Sequence, residues 1–313
     1  MSPHSPIPTV DLRNFTDKPA QFGKELGQAW TETGFVAVTN HGISDETIEK
    51  CLLAARTFFA LPATVKQRYH IAGGGGQRGY TPFGIETAKD AATPDLKEFW
   101  HVGRDTNGTQ GQKHSGLVNI WPTDTENFKT DCLRFFEAMD LLGRQLLKAV
   151  ALYLKQPPDF FEARVANGNS ILRLLHYPPC ATAGAGTRAA AHEDINVITL
   201  LAGADQAGLE ILKRDGTWVP VQTDSRAIVC NVGDMLERLT NNVLPSTTHR
   251  VSRPFGAASN ISRYSMPYFL HFAPDVVIET LPECITSDKP NRYNSPITAQ
   301  AFLEQRLAEI GLT

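Results

Sequence analysis

No stretch of this 313-residue chain comes near the ~20 consecutive apolar residues that a membrane-crossing helix needs. It also lacks an excess of charge of either sign: 30 Lys and Arg stand against 33 Asp and Glu, a formal net charge of −3. That balance gives no broad attraction to nucleic acid or to an anionic membrane, so neither is expected as a partner and a small molecule is. Cysteine is scarce. Cys51, Cys132, Cys180, Cys230 and Cys284 are an odd number, far apart and without a Cys-x-x-Cys pair, and read as reduced, mostly buried thiols. The opening Met-Ser-Pro-His-Ser-Pro-Ile-Pro lacks a charged leader followed by an apolar run, so a cytoplasmic location is expected.

Core material is ample, with 42% hydrophobic residues. Over the first ~115 residues a helical pattern from Pro19 to Thr33 precedes the apolar run Gly34 to Thr39 and a helix from Ser44 to Leu61. Ser44 is a good N-cap, and Leu61-Pro62 ends that helix. From Glu126 to Leu154 apolar residues recur at three and four spacing, as in Leu133, Phe136, Met139, Leu142, Leu146, Val150 and Tyr153. This is a long amphipathic helix backing the core.

The style then changes to short apolar runs between turn residues: Ser170 to His176, Val197 to Leu201, Gly208 to Leu212, Thr217 to Val221, Ala227 to Asn231 and Tyr264 to Phe272. Arg214-Asp215-Gly216-Thr217 supplies a hairpin turn. Many short strands in one region argue for a β-sandwich or jelly-roll barrel, and Thr298 to Ile310 returns to amphipathic helix. The expected class is α+β, a double-stranded β-helix (jelly roll) with backing helices. A mixed α/β region would span 1–115, and the backing helix, jelly roll and last helix 116–313.

His192 and Asp194 stand two residues apart in a strand-like run, where alternate side chains share a face, and His249 follows further on. Two imidazoles and one carboxylate with the opposite positions free suit a non-haem ferrous iron that activates dioxygen. Zinc accepts the same set, usually for hydrolysis. Gly74, Gly76 and Gly79 spell a formal Gly-x-Gly-x-x-Gly, but a helix precedes it and Tyr80-Thr81-Pro82 follows, so no dinucleotide site is expected. Gly73 to Gly76 reads instead as a flexible loop, a candidate substrate lid carrying Arg78 and Tyr80. His41, His176 and His271 read as structural, His4, His70 and His114 as loop or helix-end residues, and Trp100 and Trp121 as core aromatics.

Further pieces sit in order along the chain: Ile7-Pro8-Thr9-Val10-Asp11-Leu12, Gly34-Phe35-Val36-Ala37-Val38-Thr39-Asn40-His41-Gly42-Ile43, and Leu172-Arg173-Leu174-Leu175-His176-Tyr177-Pro178-Pro179. Then come His192-Glu193-Asp194, Asn231-Val232-Gly233-Asp234, Ser246-Thr247-Thr248-His249-Arg250-Val251 and Arg263-Tyr264-Ser265. With these the chain resembles the iron(II)- and 2-oxoglutarate-dependent dioxygenases, in the branch that includes isopenicillin N synthase. The resemblance implies His192, Asp194 and His249 as iron ligands. It also implies Arg263, Ser265 and Tyr177 around the distal carboxylate of 2-oxoglutarate, where the planar Arg fork suits bidentate binding. Alone, Arg263 would read as a strand-end cation and Tyr177 as a core aromatic. His101 resembles a position near the mouth that contacts substrate. Two departures stand out: Leu175 replaces an Asn common in plant members, and His192-Glu193-Asp194 reads like the isopenicillin N synthase version of the motif. That enzyme uses no 2-oxoglutarate. A hydroxylase using iron(II), 2-oxoglutarate and dioxygen is therefore expected, with a substrate-only iron oxidase, a zinc hydrolase and a non-catalytic jelly-roll binder as alternatives.

Overall fold

The computed structural model describes residues 7–86, 95–105, 117–179, 187–202, 208–252 and 260–309. The boundary expected at 115/116 and the residues His4, His114 and Cys180 lie outside them. Fourteen strands are described, in chain order: β1 (Thr9–Asp11), β2 (Phe35–Thr39), β3 (Gly79–Thr81), β4 (Glu98–Gly103), β5 (Ile171–Tyr177), β6 (Ala189–His192) and β7 (Ile198–Ala202). β8 (Leu209–Leu212), β9 (Trp218–Pro220), β10 (Ile228–Val232), β11 (His249–Val251), β12 (Arg263–Leu270), β13 (Val277–Ile278) and β14 (Ile297–Thr298) complete the set.

The large sheet runs β1-β2-β10-β7-β12-β5-β4-β3, and the small one β6-β11-β8-β9. Only β1–β2 pair in parallel; the rest of both sheets is antiparallel. Alternation sorts the side chains of β12. Met266, Tyr268 and Leu270 enter the main core on the helical side, while Ser265, Pro267 and Phe269 face a cavity between the sheets. Phe35, Ala37 and Val229 of the large sheet close on Leu209 and Ile211 of the small one, filling the other part of the sandwich. This is the expected jelly-roll core with backing helices.

The helix expected from Ser44 starts at Asp45, and the Ser44 hydroxyl accepts the Thr47 backbone N–H at 3.2 Å. The Glu126–Leu154 periodicity becomes the helix Phe128–Tyr153, whose buried stripe includes Phe135, Phe136, Met139, Leu142, Leu146 and Val150. Pro19–Thr33 crosses it closely. A Cβ on Gly23 would stand 2.6 Å from the Ala149 carbonyl oxygen, so glycine sets that approach. The Asp-Gly turn joins β8 to β9, with Gly216 at φ 83° and Lys213 N–H donating to Thr217 O. Cys51, Cys132, Cys230 and Cys284 are buried and free. Among the described residues no helix is long and apolar enough to cross a membrane.

Candidate active site

His192 ends β6 and His249 opens β11, and the two are direct partners across the antiparallel pair. Their rings lie 4.4 Å apart between centroids. Asp194 differs from expectation. It stands beyond the end of β6, so its side chain is placed by the bend and not by strand alternation. The bend is held where the Asp234 N–H donates to Asp194 O, at the start of the short helix Asp234–Leu239. Nε2 of His192 and of His249 lie 3.9 and 3.8 Å from Asp194 Oδ1, and the three ligand atoms fall within 4.8 Å of one another.

Each potential ligand is oriented from behind. His192 Nδ1 bonds Ala190 O at 2.8 Å and His249 Nδ1 bonds Thr247 O at 3.1 Å, which places the proton on Nδ1 and frees Nε2. Burial, followed by the neighbouring His249, pushes His192 down to about 4, so its ring is neutral near pH 7. Asp194 Oδ2 accepts Thr199 Oγ1 at 2.6 Å and Asn231 Nδ2 at 2.9 Å, leaving Oδ1 toward the histidines. Burial alone would raise Asp194, but His249, His192 and these two donors outweigh it and hold the carboxyl below its usual range.

Behind this trio, a cavity of about 80 Å³ between the sheets is lined by His192, Asp194, His249, Tyr177 and Ser265 among others. Arg263 is paired in register with Tyr177, its guanidinium carbon 5.0 Å from that ring's centre. It is 1% exposed, donates to Ser265 Oγ at 3.3 Å, and its Nε has no hydrogen-bond partner. No ion pair to it occurs among the described residues. A buried guanidinium without a carboxylate is costly, so the arrangement fits an anionic ligand beside the metal position. The spacing of Arg263 and Ser265 on one face of a strand is as the sequence suggested.

A second cavity, of about 480 Å³, adjoins the first and shares His192, Asp194, Lys97, Arg173 and Phe269 with it. His101 lines it. Arg78 and Tyr80 do not, which corrects their expected role. Tyr80 is 5% exposed and donates to Glu98 Oε2, inside a buried network in which Lys66 and His176 bond the same carboxylate. Arg78 packs against Gly103 and donates to Gln77 O and Asn169 Oδ1. Both side chains are anchored, so a lid cannot carry them; of the glycine loop, Gly75 reaches the cavity. His41 is structural, bonding Arg226 O and accepting Ile43 N–H. Trp100 is fully buried among Phe58, Tyr69 and Phe128.

Sequence reading missed Lys97, Arg173, Asn169, His271 and Arg306, all of which line the larger cavity. Strand parity could have found two of them. Arg173 shares its face with Tyr177, and His271 continues the alternation of Arg263 and Ser265. Arg306, on the last helix Ala299–Glu309, carries no such signal.

Residues 7–124 match the family model described as the N-terminal region of non-haem dioxygenase in morphine synthesis, and residues 168–272 match the 2OG-Fe(II) oxygenase superfamily. The 2-oxoglutarate-dependent dioxygenase caaD of Aspergillus niger is 32% identical over 279 residues, covering 85% of this chain and 84% of the relative. A crystal structure assigned to the 2OG-Fe(II) oxygenase family, from Caulobacter crescentus, superposes with a TM-score of 0.91 at 46% identity, over 98% of this chain and 99% of that one. A full-length Neurospora crassa protein, crystallised in complex with alpha-KG and thymine, superposes with a TM-score of 0.86 at 27% identity over 96% of each chain. Alpha-KG is 2-oxoglutarate. Similarity of this extent favours 2-oxoglutarate over the substrate-only oxidase, the zinc hydrolase and the binding protein. The chain belongs to the iron(II)- and 2-oxoglutarate-dependent dioxygenases.

Proposed function

We propose that this enzyme hydroxylates a C–H bond of a small polar molecule held in the larger cavity, with iron on His192, Asp194 and His249 and 2-oxoglutarate on Arg263, Ser265 and Tyr177. The observation that carries the reading is the lone buried Arg263 behind three convergent ligand atoms. Iron with 2-oxoglutarate supplies the oxidising chemistry, releasing succinate and carbon dioxide. The protein's own part is positional. Asn231 and Thr199 keep Asp194 Oδ1 directed at the metal position, and Ala190 O and Thr247 O fix both imidazoles. Arg263 and Ser265 orient the co-substrate from its far end, so that the larger cavity remains for the molecule to be oxidised. The Neurospora crassa complex, which holds thymine together with alpha-KG, supports a substrate of small size.

The test is succinate release from 2-oxoglutarate with iron(II) and dioxygen. The purified enzyme should release succinate slowly without substrate, and His192→Ala and Asp194→Ala should abolish both release and iron retention. Full iron stoichiometry in either variant would refute the ligand assignment.

A further inference from the structure

The larger cavity has a wall whose hydrogen-bonding polarity is fixed by a residue outside it. Arg78 is 5% exposed and has no acidic partner among the described residues. It can only donate, and its Nη2 bonds Asn169 Oδ1 at 2.8 Å. The Asn169 amide is thereby oriented by chemistry: Oδ1 is used, and Nδ2 donates to Gln77 Oε1 at 3.3 Å. Gln77 then keeps its Nε2 group for a ligand. Arg173 adds to the same wall. Its Nε donates to His101 Nε2 at 2.6 Å and its Nη1 donates to Glu86 Oε1 at 3.4 Å, and neither bond uses Nη2. His101 is pushed well down by burial and then by Arg173, so it stays neutral and accepts that bond.

Beside these donors stands an acceptor with a buried, unused oxygen. Glu86 Oε2 is buried and accepts no hydrogen bond, although Arg173 and Lys97 are close enough to keep the group ionised. Lys97 is also paired with Asp95 at 2.8 Å. Among the residues that line this end of the cavity, Lys97 and Arg173 are balanced by Glu86 and Asp95, while the charge of Arg78 lies outside the lining behind Asn169, so a ligand bearing a net anion would meet Glu86. A neutral ligand that accepts from Arg173 and donates to Glu86 meets no such cost.

We infer that the prime-substrate cavity recognises a neutral cyclic amide, a lactam or imide whose adjacent C=O and N–H pair with Arg173 and Glu86 while a further carbonyl faces Gln77 and Asn169. Arg78 is a positioning residue for that wall. The inference rests on the larger cavity being the site of the substrate. Substrate class is thus set by an alternation of donor and acceptor, not by a charge.

Calorimetric titration tests this anaerobically, on protein loaded with iron(II) and 2-oxoglutarate, with uracil and hydantoin as lactam-type probes, 1,3-dimethyluracil lacking the N–H, and benzoate as anion. Uracil or hydantoin should bind, with dimethyluracil and benzoate at least tenfold weaker. Glu86→Gln should narrow the gap between uracil and benzoate tenfold, and Asn169→Asp, which replaces a donor by an acceptor, should weaken uracil. Both variants should still take up 2-oxoglutarate, which shows them folded. Failure of the unaltered protein to bind 2-oxoglutarate would overturn the proposed function. Normal 2-oxoglutarate uptake with no binding of uracil or hydantoin, with dimethyluracil as tight as uracil, or with benzoate preferred, would overturn the inference alone.

Discussion

Asp194 does two jobs with its two oxygens. Oδ2 is committed to Thr199 and Asn231, so Oδ1 is left toward His192 and His249 in one orientation, where the proposed metal would sit. Thr199→Val and Asn231→Leu each remove one donor without touching a ligand. Each should weaken iron(II) about tenfold or more, as loss of outer partners does at metal sites. Competition against a chromogenic chelator measures it, and unchanged affinity would mean that the carboxylate needs no such support. Glu86 offers a pH test. Burial alone would raise it, but Arg173 and Lys97 prevail and hold it at about 2, below its ordinary 4.5. A depressed carboxyl stabilises the fold above its unfolded value and loses that contribution as pH falls toward the folded one. Urea unfolding at several pH values should therefore show Glu86→Gln less stable than the parent near neutrality, with the difference shrinking as pH drops through about 4. A constant difference would contradict the ion-pair account.

At the scale of elements, sequence pattern located seven of the fourteen described strands to within a residue or two, because a sandwich core writes short apolar runs between turn residues. It also found the long backing helix and the Asp-Gly hairpin. The candidate site was legible where ligands lie on strands: Arg263 and Ser265 share a face by parity, and His249 pairs with His192. Asp194 escaped the strand argument because the chain bends after His192. Arg78 and Tyr80 were misjudged for a different reason. Nearness to a glycine loop says nothing of direction, and Tyr80 turns inward to the buried Glu98. The last helix was expected as an amphipathic stretch, yet no local pattern shows that Leu303, Arg306 and Leu307 reach the cavity. Its place depends on contacts distant in sequence. The helix pair Pro19–Thr33 and Phe128–Tyr153 gives a stability prediction. Gly23→Ala puts a Cβ 2.6 Å from a backbone oxygen that cannot rotate away, so the helices must separate. The cost should be about 1–3 kcal/mol in chemical denaturation, with iron and 2-oxoglutarate affinity retained. A neutral or stabilising result would show that the interface yields freely.

For the whole molecule, the layers divide the work. Helices cover one face of the large sheet, and the opposite face packs Phe35, Ala37 and Val229 on the small sheet in one part and lines the candidate site with Tyr177 and Ser265 in another. The two cavities share His192, Asp194, Lys97, Arg173 and Phe269, and in the proposed reading the smaller one takes the co-substrate and the larger one the substrate. Arg263 touches Ser265 and Tyr177, which line the first, and should matter little to the second. The most direct test of this arrangement is an anaerobic titration of the iron(II) protein with 2-oxoglutarate, followed by the weak visible charge-transfer band of the chelate. The unaltered protein should develop the band to one equivalent. Arg263→Ala should develop the same band with iron still bound, but only at concentrations at least tenfold higher, the loss expected for a charge-assisted partner of about 1.5–3 kcal/mol. A titration in Arg263→Ala that overlays the parent's, or a parent protein that binds iron and develops no band, would contradict it.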